Sequence, residues 1–475
     1  MKNSLKKNSS QLFISIIVLS SIIFAAFSVN SSQKGNEEMP KVKKVTQAKL
    51  TDDPITFSSE LNNKYYFDNN NAYLNLDIQS RDISNKVIEK TPLNISVVID
   101  KSGSMADKNK LTFVKKAVEH IIDELGSDDY ISIVTYDDDV KVVYESSRIE
   151  DKSSLRRIVS SITSGGYTNL SGGMVKGFNQ VESTYRRGYV NRVLLLSDGL
   201  ANRGITDRSE IADMVRDRSR RDGITISTFG VGNDFNENLM ADIADYGKGN
   251  YYYIKNSLDI PQIFASELKG VRYLTGHDSK IRIKFPAEYL TVNKVFGYPY
   301  EVFGDEIAID LKDIFAGQNK TVLIKFDIKK KFTGTINFKS DFEYLNPENN
   351  LEKVSKSVSN SLEPASNQSE FDKGFALNVQ QNVVVFEAND IMEQALKEAD
   401  KGNYDQARKK VQEGKDYITT QKSTVPQSPE IERQEKNIDN YNDELKTAEK
   451  KSDEEKKEMQ KAGKYENYNT RKNNN

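Results

Sequence analysis

The 475-residue chain contains no cysteine, no tryptophan and only two histidines. Without cysteine there is no disulfide framework, no thiolate nucleophile, no cysteine metal site and no lipidated cysteine behind a leader. With histidine confined to His120 and His277, most histidine-based hydrolase and zinc chemistries fall away. Neither charge sign dominates: 68 basic residues stand against 70 acidic ones, which argues against nucleic acid as a partner. Stability therefore has to come from packing. The length exceeds what one core supports, so roughly two to four domains plus tails are expected.

Against these absences stand three short polar stretches, far apart in the chain. They are Asp100-Lys-Ser102-Gly-Ser104, Thr168 within Ser164-Gly-Gly-Tyr-Thr-Asn-Leu, and Asp198 within Leu196-Ser-Asp-Gly199. Two carboxylates and three hydroxyls suit a hard divalent ion such as Mg²⁺, or Mn²⁺ or Ca²⁺, which keeps waters or a visitor's oxygen in its shell. The surrounding text supports grouping them. Asn94-Ile-Ser-Val-Val-Ile-Asp100 and Arg192-Val-Leu-Leu-Leu-Ser-Asp198 are apolar runs ending in an acid, and each reads as a buried parallel strand with Asp near its carboxyl end. Open α/β sheets place ligand sites at that edge. Leu111, Val114, Ala117, Val118, Ile121, Ile122 and Leu125 then recur at helical spacing, so a helix follows the first loop. His120 lies well off this stripe and is expected to be exposed, and His277 reads as a loop residue at the exit of the domain.

Asp100-x-Ser102-x-Ser104, Thr168 and Asp198 resemble the metal-ion-dependent adhesion site of von Willebrand factor type A domains, with all five positions present. Thr225-Ile-Ser-Thr-Phe-Gly-Val-Gly-Asn-Asp, Gly249-Asn-Tyr-Tyr-Tyr-Ile and Ile260-Pro-Gln-Ile-Phe resemble the later strands and last helix of such domains. The resemblance covers about residues 93–272. It implies that Ser102, Ser104 and Thr168 give hydroxyl oxygens, and that Asp100 and Asp198 act directly or through water. The remaining coordination position then takes an acidic side chain from a partner protein. It also implies that closure of the site is coupled to the last helix, about residues 258–270. The bland alternative is that these Asp and Ser residues merely cap turns.

Lys2, Lys6 and Lys7 precede an uncharged apolar stretch from Leu12 to Val29, which reads as an export signal over residues 1–30, either cleaved near Ala26-Phe-Ser28 or kept as a single membrane anchor. Both outcomes place the rest outside the cytoplasm, in the periplasm, at the cell surface or secreted. Residues 31–46 read as a linker. Short aromatic and β-branched runs in 50–90 and 276–362 suggest one β-sandwich domain interrupted by the α/β domain at 93–272. A helical hairpin is expected at 375–420, and 421–475 as a charged helical or disordered tail, frayed from Tyr468. The expected fold class is thus α/β, a doubly wound and mostly parallel sheet inserted in a β-sandwich and followed by a helical region.

The function this pattern points to is an exported, non-enzymatic binding module that captures an acidic residue of a partner protein through a divalent cation. An envelope scaffold working through its C-terminal helices is an alternative reading. A metal-dependent hydrolase is a weaker one, because it needs a general base that only the turn Asp137, Asp138 and Asp139 could supply. Ser102 is no hydrolase nucleophile, since Asp-Lys-Ser-Gly-Ser is not a Gly-x-Ser-x-Gly elbow.

Overall fold

A computed structural model describes residues 53–68, 71–82 and 90–472; the expected export segment and linker lie outside them. Among the described residues no helix is long and apolar enough to cross a membrane.

The chain opens with β1 (Ile55–Leu61), the short β2 (Tyr65–Tyr66) and β3 (Asn71–Ser80). It then enters an α/β unit: β4 (Leu93–Asp100), α1 (Lys110–Glu124), β5 (Tyr130–Tyr136), β6 (Val140–Arg148), α2 (Lys152–Ser160), α3 (Leu170–Ser183), β7 (Val190–Ser197), α4 (Arg208–Asp222), β8 (Thr225–Val231), α5 (Glu237–Tyr246), β9 (Lys248–Ile254) and α6 (Ile260–Val271). The sheet order is β6-β5-β4-β7-β8-β9, parallel except that β6 runs antiparallel to β5. Every residue of β4, β7 and β8 is buried, as a sheet covered on both faces requires. Helices α1, α2 and α6 pack on one face and α3, α4 and α5 on the other. Gly177 lets α3 lie close against β4 and β7, because a β-carbon there would overlap Val98. Since β5 and β7 flank β4 on opposite sides, the carboxyl end of β4 is a topological switch point, where open α/β sheets build their sites.

From α6 the chain passes almost directly into β10 (Leu274–Lys284), followed by β11 (Leu290–Val295), β12 (Tyr300–Phe303), β13 (Glu306–Phe315), β14 (Asn319–Ile328), β15 (Ile336–Asn346) and β16 (Glu352–Pro364). Two sheets result, β1-β3-β14-β11 and β12-β13-β10-β15-β16-β2, and they share a core that includes Leu74, Leu76, Ile281, Ile283, Phe326 and Phe342. Entry and exit of the α/β unit lie side by side, with Thr91 N donating to Arg272 O at 2.8 Å. His277 is not a loop residue: it is a buried member of β10, and its Nδ1 lies 2.9 Å from Asp313 Oδ1. His120 is partly rather than fully exposed.

After α7 (Gln368–Asp372) come α8 (Leu377–Asp400), α9 (Tyr404–Gln421), α10 (Pro429–Lys446) and α11 (Asp453–Lys472). The hairpin turns at Gly402, whose φ of 77° needs glycine. The region after 421 is helical, one of the two expected states, but its helices are packed rather than merely solvated, and it is not frayed at Tyr468. Its sparse apolar residues Ile431, Ile438, Tyr441, Leu445 and Met459 fall on inward faces of α10 and α11 and share one core with Met392 and Leu396 of α8. The far end of α11 docks on the α/β unit. Tyr468 is buried in that unit's core and meets Tyr251 edge-on at 5.3 Å between ring centroids.

Charge fixes the same contact. Glu237 of α5 accepts from Lys461 at 2.6 Å and Lys464 at 2.5 Å. Burial pushes the Glu237 carboxyl up, but the two ammoniums outweigh it and hold it down at about 2. Its contribution is therefore complete above its ordinary pKa and is lost as pH falls toward the folded value. The span corresponds to roughly 3 kcal/mol as an upper bound, since burial draws the Lys461 ammonium down even though Glu237 lifts it. Urea unfolding followed between pH 5 and pH 2 should show less loss of stability in Glu237→Gln than in the parent, and identical slopes would refute the assignment.

Candidate metal centre

Strand β4 delivers Asp100 to the sheet edge fully buried. Its Oδ1 accepts from Ser102 N at 2.9 Å and its Oδ2 from Ser197 Oγ at 2.9 Å. Burial pushes the Asp100 carboxyl up to about 6, with the neighbouring Asp198 charge adding to it and the Ser102 and Ser197 hydrogen bonds opposing it. A carboxylate in this setting calls for a positive charge.

Beyond β4 a 3₁₀ segment, Gly103–Asn109, turns the chain into α1, with Lys108 and Asn109 held in the left-handed region at φ of 51° and 56°. This turn brings Ser102 Oγ to 3.3 Å from Ser104 Oγ, and Ser104 donates to Asp198 Oδ1 at 2.8 Å. Asp198 follows β7 directly and is itself fully buried. Thr168 arrives on a loop pinned by backbone bonds: Gly103 N to Gly166 O at 3.1 Å, Gly165 N to Lys101 O at 2.7 Å and Asn169 N to Asp137 O at 2.9 Å. Asn202 Oδ1 accepts from Thr168 N at 2.8 Å. A β-carbon added at Gly199 would touch Thr168 Oγ1 at 3.4 Å and Ser104 Oγ at 3.7 Å, so the two hydroxyls flank one small space beside Asp198. The five side chains singled out from sequence thus meet at one edge.

The donor set fits a hard cation through its hydroxyls. Among the described residues no group of three or more histidine, cysteine or acidic side chains is placed to hold a metal. Where one or both carboxylates act only through water, a divalent ion at this edge stays under-neutralised and favours a further anionic oxygen.

Three neighbours went unrecognised in the sequence: Ser197, Asn202 and Lys110. Lys110 places its Nζ 2.6 Å from Asp198 Oδ2, with both side chains almost wholly out of solvent. The signal was present, because residue 110 sits one turn before Val114 on the buried face of α1, where lysine is out of place. The acidic turn, by contrast, is structural. Asp137 pairs with Lys101, and Asp138 accepts from Tyr167 N at 3.2 Å, which braces the Thr168 loop.

Above the centre lies a cleft of about 570 Å³. Ser104, Thr168 and Gly199 form one side, and Tyr404 of α9 with Lys456 and Lys461 of α11 form another. Tyr167 and Leu200, more than half exposed, stand nearby as apolar surface.

Residues 94–266 match the family model described as von Willebrand factor type A domain. The chain carries a von Willebrand factor type A domain. Its curated relatives include the uncharacterized protein YfbK of Escherichia coli K12, 33% identical over 261 residues that make up 54% of this chain and 45% of that one. The chain spans less than half the length of the first curated relatives it matches. Solved structures extend the likeness beyond the type A domain. A von Willebrand factor type A protein from Catenulispora acidiphila aligns with a TM-score of 0.65 at 13% identity, over 84% of this chain and 91% of that one. The ArnB paralog VWA2 from Sulfolobus acidocaldarius aligns with a TM-score of 0.60 at 18% identity, over 87% and 98%. At these identities the likeness speaks for fold. Type A domains typically mediate protein interaction and adhesion through a metal-ion-dependent site, and are mostly non-enzymatic.

Proposed function

We propose that this protein is an exported binding module. Asp100, Ser102, Ser104, Thr168 and Asp198 hold a divalent cation, Mg²⁺ in the first instance, and a partner protein completes its shell with an acidic side chain. The observation that carries this reading is the convergence of two buried carboxylates and three hydroxyls beneath an open cleft. Binding is favoured over hydrolysis because Asp137 and Asp138 are engaged in holding the Thr168 loop, and His120 and His277 belong to other parts of the fold. Export rests on the lysines and apolar stretch before residue 30, which also offer a single N-terminal anchor.

Calorimetric titration of the full chain with Mg²⁺ tests the centre. Ser102→Ala should weaken binding about tenfold or more while leaving the circular dichroism spectrum unchanged. Capture of a partner from an envelope fraction should occur in Mg²⁺ and fail in chelator. Equal Mg²⁺ affinity in parent and variant, or capture that persists in chelator, would sink the proposal.

A further inference from the structure

A second cavity, about 690 Å³ and sharing no lining residue with the cleft over the metal centre, lies where β9 and α6 of the type A domain, β13 and β14 of the sandwich and the end of α11 come together. Its size is that of pockets that enclose metabolite-sized ligands. Three lysines from three parts of the fold line it: Lys248 from β9, Lys320 from β14 and Lys472 from α11. The amides of Asn250, Gln318 and Asn319 complete a polar wall.

Of the four acids in the lining, three are paired. Asp245 bridges Arg471 at 2.7 Å and Lys472 at 2.9 Å. Glu267 pairs with Arg192 at 2.6 Å, and Asp310 accepts from Lys312 N at 3.1 Å and stands 3.8 Å from the Lys312 ammonium. Glu430 is solvent-exposed. Lys248 and Lys320, both partly buried, have no ion-pair or hydrogen-bond partner for their ammoniums among the described residues. Partly buried cations without counter-charges are unusual, and two facing one cavity more so. Lys248 also sits at φ of 60°, next to a register shift in the β8–β9 pairing, a backbone state that a non-glycine residue keeps only where the surroundings impose it.

We propose that this cavity is an anion site for a small phosphate-bearing molecule, gripped by Lys248 and Lys320, with Lys472, which is shared with Asp245 and Gly297 O, beside them. Two uncompensated ammoniums with a third beside them match the charge of about two that a phosphate monoester carries at neutral pH. The electrostatics agree. Burial draws both Lys248 and Lys320 down to about 8. Lys472, Lys312 and Arg220 oppose the Lys248 charge against Asp310, and Lys472, Arg192 and Lys248 oppose the Lys320 charge against Asp313. An anion removes that conflict. Bound there, it would also tie α6 and β9 to the sandwich and to α11, bracing the type A domain from below.

The test uses the full chain in phosphate-free buffer near pH 8, with millimolar inorganic phosphate in one arm and glycerol phosphate in the other. In at least one arm the melting temperature should rise, and calorimetry in two buffers of different ionisation enthalpy should show proton uptake on binding. A response to inorganic phosphate alone assigns the free ion as ligand, and a response to the ester assigns a phosphorylated molecule. Lys248→Gln and Lys320→Gln should each weaken binding roughly tenfold or more. In ligand-free buffer both should melt no lower than the parent, because each removes a repelling charge. Lys320→Arg should retain binding, which separates lost charge from lost fold. No response in either arm, or an undiminished response in the glutamine variants, would overturn the assignment.

Discussion

Replacing Glu267 with alanine is expected to destabilise the protein by about 3–5 kcal/mol, the usual cost of stripping one partner from a buried ion pair. Glu267 on α6 reaches under the sheet to Arg192 of β7 at 2.6 Å, and both side chains are almost wholly buried. Its remaining lone pairs are satisfied by Ser227 Oγ at 2.6 Å, Tyr252 OH at 2.6 Å and Asn250 Nδ2 at 2.9 Å. Burial raises the Glu267 carboxyl, yet Arg192 and these donors outweigh it and keep it below its ordinary range, so it stays charged. Alanine leaves the Arg192 guanidinium inside with only Thr225 and Ser227 hydroxyls and the face of Phe315, 5.5 Å from its centre. Because α6 runs almost directly into β10, the loss also loosens the junction between type A domain and sandwich. Urea unfolding of Glu267→Ala, with the double variant Glu267→Leu/Arg192→Leu as control, checks the argument. The double variant should recover much of the loss, since an apolar pair of similar volume needs no compensation. A cost below about 1 kcal/mol in the single variant would remove the network from the account of how α6 is held.

That network was invisible in the sequence for a definite reason. Arg192 opens an apolar run and Glu267 lies in a short helix, 75 residues later, and nothing local ties one to the other. The convergence of the five candidate side chains was legible because its pattern is local: an acid ends an apolar strand, small hydroxyl residues crowd the turn after it, and the second acid repeats the pattern after β7. The doubly wound fold followed from the same apolar runs and the stripe on α1. The helices after 421 are legible but their packing is not, because Ile431, Ile438, Tyr441, Leu445 and Met459 are sparse on helices otherwise charged, and one such helix cannot hold a core alone. Four helices together can, and tertiary docking then buries Tyr468. His277 was misplaced because β10 begins three residues before it, with its partner Asp313 contributed by β13.

Lys110→Met is expected to make the fold depend on metal. In the present arrangement the Lys110 ammonium, 2.6 Å from Asp198 Oδ2, is the cation nearest the two buried carboxylates. Methionine keeps the length and apolar stem of the side chain on the buried face of α1 but removes the charge. In chelator, Asp198 then faces Asp100 without that counter-charge, and breaking a buried pair in this way costs about 3–5 kcal/mol. With Mg²⁺ the sign reverses for binding. The ion no longer shares Asp198 with an ammonium, so its affinity should rise about tenfold, and the stabilisation it brings should grow by about 1.4 kcal/mol at saturating concentration. Urea unfolding of parent and Lys110→Met, each with chelator and with Mg²⁺, reads both effects from four curves. A variant that loses stability in chelator and gains more from Mg²⁺ than the parent does, narrowing the gap without closing it, identifies Lys110 as a cation that competes with the ion for Asp198. Were the Mg²⁺ increment the same in both proteins, Asp198 would not be a ligand, because removing an ammonium bound to one of its oxygens could not leave a metal on that carboxylate unaffected.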